Sequence, residues 1–374
     1  MLGWLRGGAH ANRTGTPEQL GGLRGVRWAV IGCPGWYARA RIVSMDSSPG
    51  KTDLSELDAV RVYSLPMRTR FRGVTVRRGV LLSGPAGWGE FCPFEDYSDS
   101  DSAPWLGAAL ESCFEHWPEP VRDTVPVNCT VPAVGPQRAH EIAASSGCGT
   151  AKVKVAEAGQ PASADVERVE AVRDALGGSG AVRVDANTAW DVDTAVRRIR
   201  ELDRAADGLE YAEQPCASIE ELAAVRKRVD VRIAADESIR RAEDPLRVAV
   251  ADAADVAVIK AAPLGGVRRA LRVAEACGLP CVVSSAVESS VGLAAQLALA
   301  GALPRLPFAC GLGTMSLLDG DVVTDSLLPV AGRMPVPERA PEPAPALVAA
   351  ATPTAETQHH WLDRLRRVHE TMTG

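Results

Sequence analysis

Histidine is scarce in this sequence, and the cysteines are scattered. Of the six histidines, only His140 falls within the long region of alternating strand and helix patterns, where it lies on a predicted helix. The nine cysteines include no C-x-x-C pair. We therefore expect neither a zinc site nor a redox dithiol. Scattered cysteines in apolar segments are typical of reduced thiols in a cytoplasmic protein.

Long apolar runs and a large excess of charge are also missing. No stretch reaches the roughly 18 consecutive apolar residues of a membrane span, and the first residues do not continue into the apolar core of a signal peptide. A net charge of −6 gives no reason to expect nucleic acid. The expected partner is a small molecule, with no nucleic acid and no membrane, and the sequence leaves the oligomeric state open.

The first third of the chain contains an irregular segment and then a β-rich one. Residues 1–50 have little periodicity, and Met45 would make a natural start, so we expect a poorly ordered extension. Residues 54–122 combine three alternating β-type segments with a helical pattern at 103–117. This combination predicts a small α+β domain, completed by about 315–335.

The central part of the chain alternates apolar strand segments with helical segments. Eight such strands fit into residues 123–314, and their almost wholly apolar character is typical of strands buried on both faces. This pattern predicts a closed barrel of parallel strands. Residues 336–374 read as a Pro/Ala-rich linker followed by an amphipathic helix, which either meets a partner or folds onto its own domain.

Charged residues end five successive strands of the predicted barrel. They are Lys154, Asp185, Glu213, Asp236 and Lys260, at intervals of 23 to 31 residues, the length of one strand, one helix and two loops. In a parallel barrel these ends meet at one rim, where barrel active sites are assembled. Taken singly, each carboxylate could be a solvated loop residue. Three hard oxygen ligands at one rim instead predict a Mg²⁺ site.

Lysines flank the predicted metal site. Lys152 and Lys154 alternate with valines, so both point to the same inward face of their strand. Proximity to each other and to a divalent cation should lower their pKa values and leave a neutral amine able to take a proton. Lys260 would stand across the barrel, unless it only pairs with a metal-binding carboxylate. A metal flanked by lysines suits the removal of a weakly acidic proton next to a carboxylate.

These motifs resemble a known family. K-x-K, D-x-N, E-Q-P, D-E-S and I-K occur in the order found in the muconate-lactonising-enzyme-like branch of the enolase superfamily, over about residues 54–330. A lysine or histidine base beside Mg²⁺ is the established description of that superfamily. The nearest likeness is to its o-succinylbenzoate synthases. The resemblance implies an α/β fold, namely a modified TIM barrel, (β/α)7β, with an N-terminal α+β capping domain.

The resemblance also implies roles for individual residues. Asp185, Glu213 and Asp236 would hold Mg²⁺. Lys154 would abstract the proton and help the hydroxyl leave, Lys260 would stabilise the enediolate, and Lys152 would tune Lys154. Substrate-binding roles are implied for Arg183, Asn187, Ser284, Ser285, Gly311 and Gly313. In the first domain, Arg70 and Arg72 lie beside the Gly73 turn, either in a mobile lid or as plain surface residues.

Other functions share parts of this pattern. N-succinylamino acid racemases and dipeptide epimerases use the same lysine pair, and a muconate-type cycloisomerase is a further option. The seventh strand, CVVSSAVESS, has no histidine, which argues against branches with a histidine base there. A Schiff-base aldolase would give the three carboxylates no function. An inactive barrel acting as a binding protein would not need intact ligands and lysines.

Overall fold

The computed structural model describes residues 54–71, 73–240, 248 and 251–373. It begins with an antiparallel sheet of three strands, β1 (Ala59–Phe71), β2 (Val74–Gly84) and β3 (Gly87–Phe91), followed by helix α1 (Asp99–Phe114). Helix α1 starts four residues earlier than the periodicity predicts. The reason is local, because the Ser98 hydroxyl accepts a hydrogen bond from the Asp101 backbone, and the Asp101 side chain accepts one from the backbone of Ser98.

Eight parallel strands form the barrel. They are β4 (Thr124–Val131), β5 (Thr150–Lys154), β6 (Ala181–Asp185), β7 (Leu209–Glu213), β8 (Ile233–Ala235), β9 (Val256–Ile259), β10 (Cys281–Val283) and β11 (Cys310–Gly313). Each pairs with the next along the chain as far as β10, and β11 pairs with β4. Among the described residues, β10 and β11 share only the isolated bridge between Ser284 and Gly311. The predicted fold class is confirmed.

Helices follow the strands of the barrel. They are α2 (Pro136–Ser145), α3 (Ala162–Leu176), α4 (Val192–Ala205), α5 (Ile219–Arg226), α6 (Glu237–Arg240), α7 (Ala261–Leu264), α8 (Val267–Cys277) and α9 (Ser290–Ala302). Helix α4 shows why they pack inward: Ala195, Ile199 and Leu202 are buried on one face while charged residues occupy the other. None of the described helices is long and apolar enough to cross a membrane.

Two carboxylates of the first domain cap helices of the barrel. Glu90, on β3, accepts hydrogen bonds from the backbone N–H groups of Ser289 (3.1 Å) and Gly292 (2.9 Å) at the start of α9. Glu111, on α1, accepts one from the backbone of Arg268 (3.1 Å) in the first turn of α8. These N–H groups have no hydrogen-bond acceptor within their own helix. The carboxylates of the capping domain supply that acceptor.

The residues after the barrel pack against both domains. Within residues 315–335 the single strand, β12 (Arg333–Pro335), pairs antiparallel with β4, while an isolated bridge joins Met67 to Leu318. This segment therefore adds no ladder strand to the capping sheet. A short helix, α10 (Pro345–Ala350), interrupts the predicted linker, and α11 (Ala355–Thr373) is the predicted amphipathic helix. The predicted extension at residues 1–50 lies outside the described residues.

Candidate active site

The five rim residues lie at neighbouring strand ends. Lys154, Asp185 and Glu213 are the last residues of β5, β6 and β7 and are direct cross-strand partners. Asp236 follows the last residue of β8, and Lys260 follows the last residue of β9. Three strands separate β5 from β9 in either direction round the ring. Lys154 and Lys260 therefore face each other across the barrel.

Each carboxylate at the rim pairs with a lysine. The Lys152 ammonium lies 2.9 Å from Glu213 Oε1 and 3.4 Å from Asp185 Oδ2. The Lys154 ammonium lies 2.5 Å from Asp185 Oδ2. On the far side, Lys260 Nζ lies 2.5 Å from Asp236 Oδ2. All three carboxylates are at most 2% exposed, so these contacts are little weakened by solvent.

Burial and mutual proximity shift the pKa values of this cluster. Burial alone would lower the pKa of Lys152, but Glu213 and Asp185 raise it above its usual range. The expected lowering of the lysine pKa values assumes a bound divalent cation, so it stays a prediction for the metal-loaded site. Burial would raise the pKa of Asp185, but Lys154 and Lys152 hold it well below its usual range. For Glu213, burial and the neighbouring Asp185 raise the pKa to about 7.

The donor set suits a hard divalent cation. Among the described residues, no three acidic, histidine or cysteine side chains surround one common point. Ammonium groups lie between the carboxylates instead. Burial, followed by repulsion from Asp185 and Asp236, raises the pKa of Glu213, and a cation bound among the three carboxylates would offset that repulsion. Carboxylate oxygens from three adjacent strands fit Mg²⁺, and the metal site remains a prediction.

A cavity of about 370 Å³ opens above these residues. Its lining includes most of the predicted site: Lys152, Lys154, Asp185, Asn187, Asp236, Lys260, Ser284, Ser285 and Gly311. Six further lining residues were not predicted: Phe71, Phe94, Thr130, Ala286, Val287 and Thr314. Phe71 and Phe94 come from the capping domain, which therefore closes the cavity from above.

Asn187 holds Lys154 in place. Its side-chain oxygen accepts a hydrogen bond from Lys154 Nζ at 2.7 Å, and its backbone N–H donates to Asp185 Oδ1 at 3.0 Å. The backbone of Asn187 has φ of 44°, a left-handed conformation that asparagine tolerates better than most residues. This geometry explains the D-x-N spacing.

Two residues predicted to bind substrate lie elsewhere. Arg183 is fully buried one layer below the rim, where it donates to Asn128 Oδ1 (3.1 Å) and Ala309 O (2.6 Å) and stacks on Tyr211. Gly313 does not line the cavity, and a Cβ there would lie 2.7 Å from the carbonyl oxygen of Asn128. Both predictions are corrected, because Arg183 fills the barrel interior and Gly313 permits a close strand contact.

A buried hydrogen-bond network shapes the loop after β10. Ser285 Oγ donates to Glu288 Oε2 at 2.5 Å and accepts from the Thr314 hydroxyl at 2.8 Å. Val287 has φ of 65°, which is strained for a β-branched residue. Arg77 of the capping domain fixes its carbonyl with a hydrogen bond of 3.1 Å. The S-x-x-E spacing brings Ser285 and Glu288 close enough to bond, although Ser285 does not cap a helix.

Arg70, one of the two arginines expected in a lid, does not line the cavity. Arg70 is exposed and absent from the lining, and Arg72 lies outside the described residues. Phe71, between them, does line the cavity, and its ring centroid lies 5.0 Å from the Lys154 ammonium.

Comparison with known proteins identifies the family. Residues 136–341 match the model of enolase C-terminal domain-like proteins, and residues 62–113 match that of enolase N-terminal domain-like proteins. The o-succinylbenzoate synthase of Thermobifida fusca is 67% identical over 276 residues, covering 74% of this chain and 86% of that protein. The chain belongs to the o-succinylbenzoate synthases of the enolase superfamily. The o-succinylbenzoate synthase of Mycolicibacterium smegmatis is 53% identical over 315 residues, covering 84% of this chain and 96% of that one.

Solved structures of the superfamily share the fold. The 2-chloromuconate cycloisomerase of Rhodococcus opacus has a TM-score of 0.67 at 23% identity, covering 79% of this chain and 99% of that one. The L-Ala-D/L-Glu epimerase of Bacillus subtilis has a TM-score of 0.65 at 23% identity, covering 76% and 96%. Enzymes of this superfamily use Mg²⁺. The curated relatives favour a hydro-lyase over the racemase, epimerase and binding-protein alternatives.

Proposed function

We propose that the chain dehydrates 2-succinyl-6-hydroxy-2,4-cyclohexadiene-1-carboxylate to o-succinylbenzoate in menaquinone biosynthesis, with Mg²⁺ as cofactor. The observation that carries the proposal is the position of Lys154 and Lys260 on opposite sides of one cavity. The names of curated relatives at 50–67% identity support the same reaction.

Asp185, Glu213 and Asp236 would hold the metal. When bound, the ion offsets the negative charge of the substrate carboxylate and the charge that builds on it as the proton leaves. Lys152 contacts both Asp185 and Glu213. Its positive charge therefore keeps this side of the site from repelling the anionic substrate.

The lysines carry the proton transfers. Lys154 Nζ, as a neutral amine, takes the proton from the ring carbon that bears the carboxylate, while Asn187 and Asp185 orient it. Lys260, across the cavity, stabilises the negative charge that develops. Lys154 then returns the proton to the hydroxyl of the adjacent carbon as the C–O bond breaks. Water leaves, the ring becomes aromatic, and the lysine ends in its starting state.

Two assays on the purified protein with Mg²⁺ test this function. An ultraviolet assay follows formation of the aromatic product, and a second assay follows racemisation of N-succinylamino acids. We expect rapid formation of o-succinylbenzoate. Racemisation without any aromatic product would contradict the proposal and favour the racemase.

A further inference from the structure

The C-terminal helix lies beyond both family matches and packs on the capping domain. The match to the enolase C-terminal domain ends at residue 341, and α11 begins at Ala355. Trp361 of α11 is 1% exposed and meets the Phe91 ring edge-on, with centroids 6.3 Å apart. Leu365 and Val368 join the same apolar core. The helix is therefore an integral part of the described fold.

One arginine of this helix reaches the loop above the active site. Arg364 is 3% exposed, and its Nη2 donates hydrogen bonds to the backbone carbonyls of Phe94 (2.8 Å) and Tyr97 (2.9 Å) and to Ser102 Oγ (3.0 Å). Its guanidinium also stacks on Trp361 at 5.2 Å. The described residues place no carboxylate within salt-bridge distance of it. Burying a cation on neutral acceptors is costly, and an apolar side chain would fill the space more cheaply.

Phe94 separates two cavities. It lines the catalytic cavity, and it also lines a more open cavity of about 1010 Å³ beside Arg78, Glu95 and Trp361. The Arg77 guanidinium lies 4.5 Å from the centroid of the Phe94 ring. Arg77 thus fixes the ring, while Arg364 fixes the backbone of the same residue.

We propose that Arg364 is a positioning residue that holds Phe94 as the wall of the catalytic cavity, which makes the C-terminal helix part of the active-site framework. The proposal rests on the proposed dehydration, because that function assigns the cavity to the substrate. Because Phe94 borders the space that the substrate would occupy, the wall acts on substrate binding more than on proton transfer.

Steady-state kinetics of three variants test this role. Arg364→Met removes the hydrogen bonds and keeps much of the volume. Arg367→Met is the matched control, because Arg367 is an exposed residue of the same helix that pairs with the half-buried Asp99. We expect Arg364→Met to raise KM about tenfold with kcat changed less than about threefold, and Arg367→Met to change both less than about twofold. Arg364→Lys, which keeps a donor, should recover part of the loss.

A double-mutant cycle with Phe94→Ala decides between positioning and general stability. If Arg364 acts through Phe94, Arg364→Met raises KM no further once Phe94 is absent. If the two substitutions raise KM by factors that multiply in the double variant, the proposal is overturned. A lower melting temperature of Arg364→Met with an unchanged KM would overturn it as well. If the wild type and Arg367→Met form no o-succinylbenzoate, the proposed function fails instead. Amide hydrogen exchange of residues 92–98 then tests the positioning itself: faster exchange in Arg364→Met than in Arg367→Met supports it, and equal exchange refutes it.

Discussion

The side-chain oxygen of Gln296 accepts a hydrogen bond of 2.8 Å from the backbone N–H of Ala261, the residue that follows Lys260. Gln296 also donates to Glu288 Oε1 at 2.9 Å, and both side chains are almost fully buried. Because Glu288 in turn accepts from Ser285, one network ties the strand end that carries Lys260 to the loop that lines the cavity.

Replacing Gln296 should disturb both stability and catalysis. Gln296→Leu leaves a buried N–H and a buried carboxylate oxygen without partners, which costs about 1–3 kcal/mol for each group. We also expect kcat to fall about tenfold, because Lys260 loses its fixed orientation. Urea unfolding and steady-state kinetics measure the two effects. Gln358→Leu, which replaces a half-buried glutamine on α11, is the control. Equal losses of stability and of kcat in both variants would count against a link to Lys260.

Substitutions of Lys260 separate dehydration from racemisation. Lys260→Ala removes the charge facing the substrate and should lower kcat for o-succinylbenzoate formation by about 10²–10³-fold, the usual effect of losing one such donor. Lys260→Arg keeps the charge and should retain a measurable part of the activity. If Lys260 must instead transfer a proton, the arginine variant will be as inactive as the alanine variant. Circular dichroism spectra confirm that both variants are folded.

Replacing Lys154 should be more damaging, because it both takes and returns the proton. Lys154→Arg keeps a positive charge near Asp185 but cannot act as a base at neutral pH. We expect a loss of about 10²–10⁴-fold in kcat, the usual contribution of a general base. Formation of the aromatic product at a rate near that of the wild type would show that another group removes the proton.

Mg²⁺ should stabilise the protein as well as activate it. A ligand at 100 times its Kd raises the free energy of unfolding by about 2.7 kcal/mol when it binds only the folded state. We expect Mg²⁺ to raise the free energy of unfolding of the wild type, measured by urea unfolding. This increase should be absent in Asp236→Asn. Calorimetric titration of the wild type without any Mg²⁺-dependent heat would rule out the metal site.

Glu111 should make the contact between the domains depend on pH. Burial, only partly offset by the hydrogen bonds from Arg268 and Val267, raises the pKa of Glu111 above its usual range. The folded state therefore holds this proton more tightly than the unfolded state, and stability is lost as pH rises through the raised pKa. Relative to Glu111→Gln, which does not titrate, the wild type should be less stable at pH 8 than at pH 4. Urea unfolding of both proteins at these pH values measures the difference, and the opposite trend would contradict this assignment.

The sequence predicts the site residues that lie at strand ends. It is less informative about residues that reach the site through contacts between domains. Period-2 alternation and regular spacing placed Lys154 and Lys260 at one rim. Arg183 shares the inward direction of Asp185, yet one layer of barrel depth separates it from the cavity. Alternation gives the direction of a side chain and not its depth. Phe94 meets the cavity through packing between distant segments, for which a single sequence carries no periodic signal.

The barrel is least tightly bonded beside two of the residues predicted to bind substrate. Ser284 and Gly311, both lining the cavity, form the lone bridge between β10 and β11 among the described residues. Few backbone hydrogen bonds hold this seam, whereas β5 and β6 share a continuous ladder. A Cβ at Gly311 would lie 2.6 Å from Ser284 Oγ, so a redesign of substrate selectivity would start from Ser284, while the proton-transferring half of the rim keeps its form.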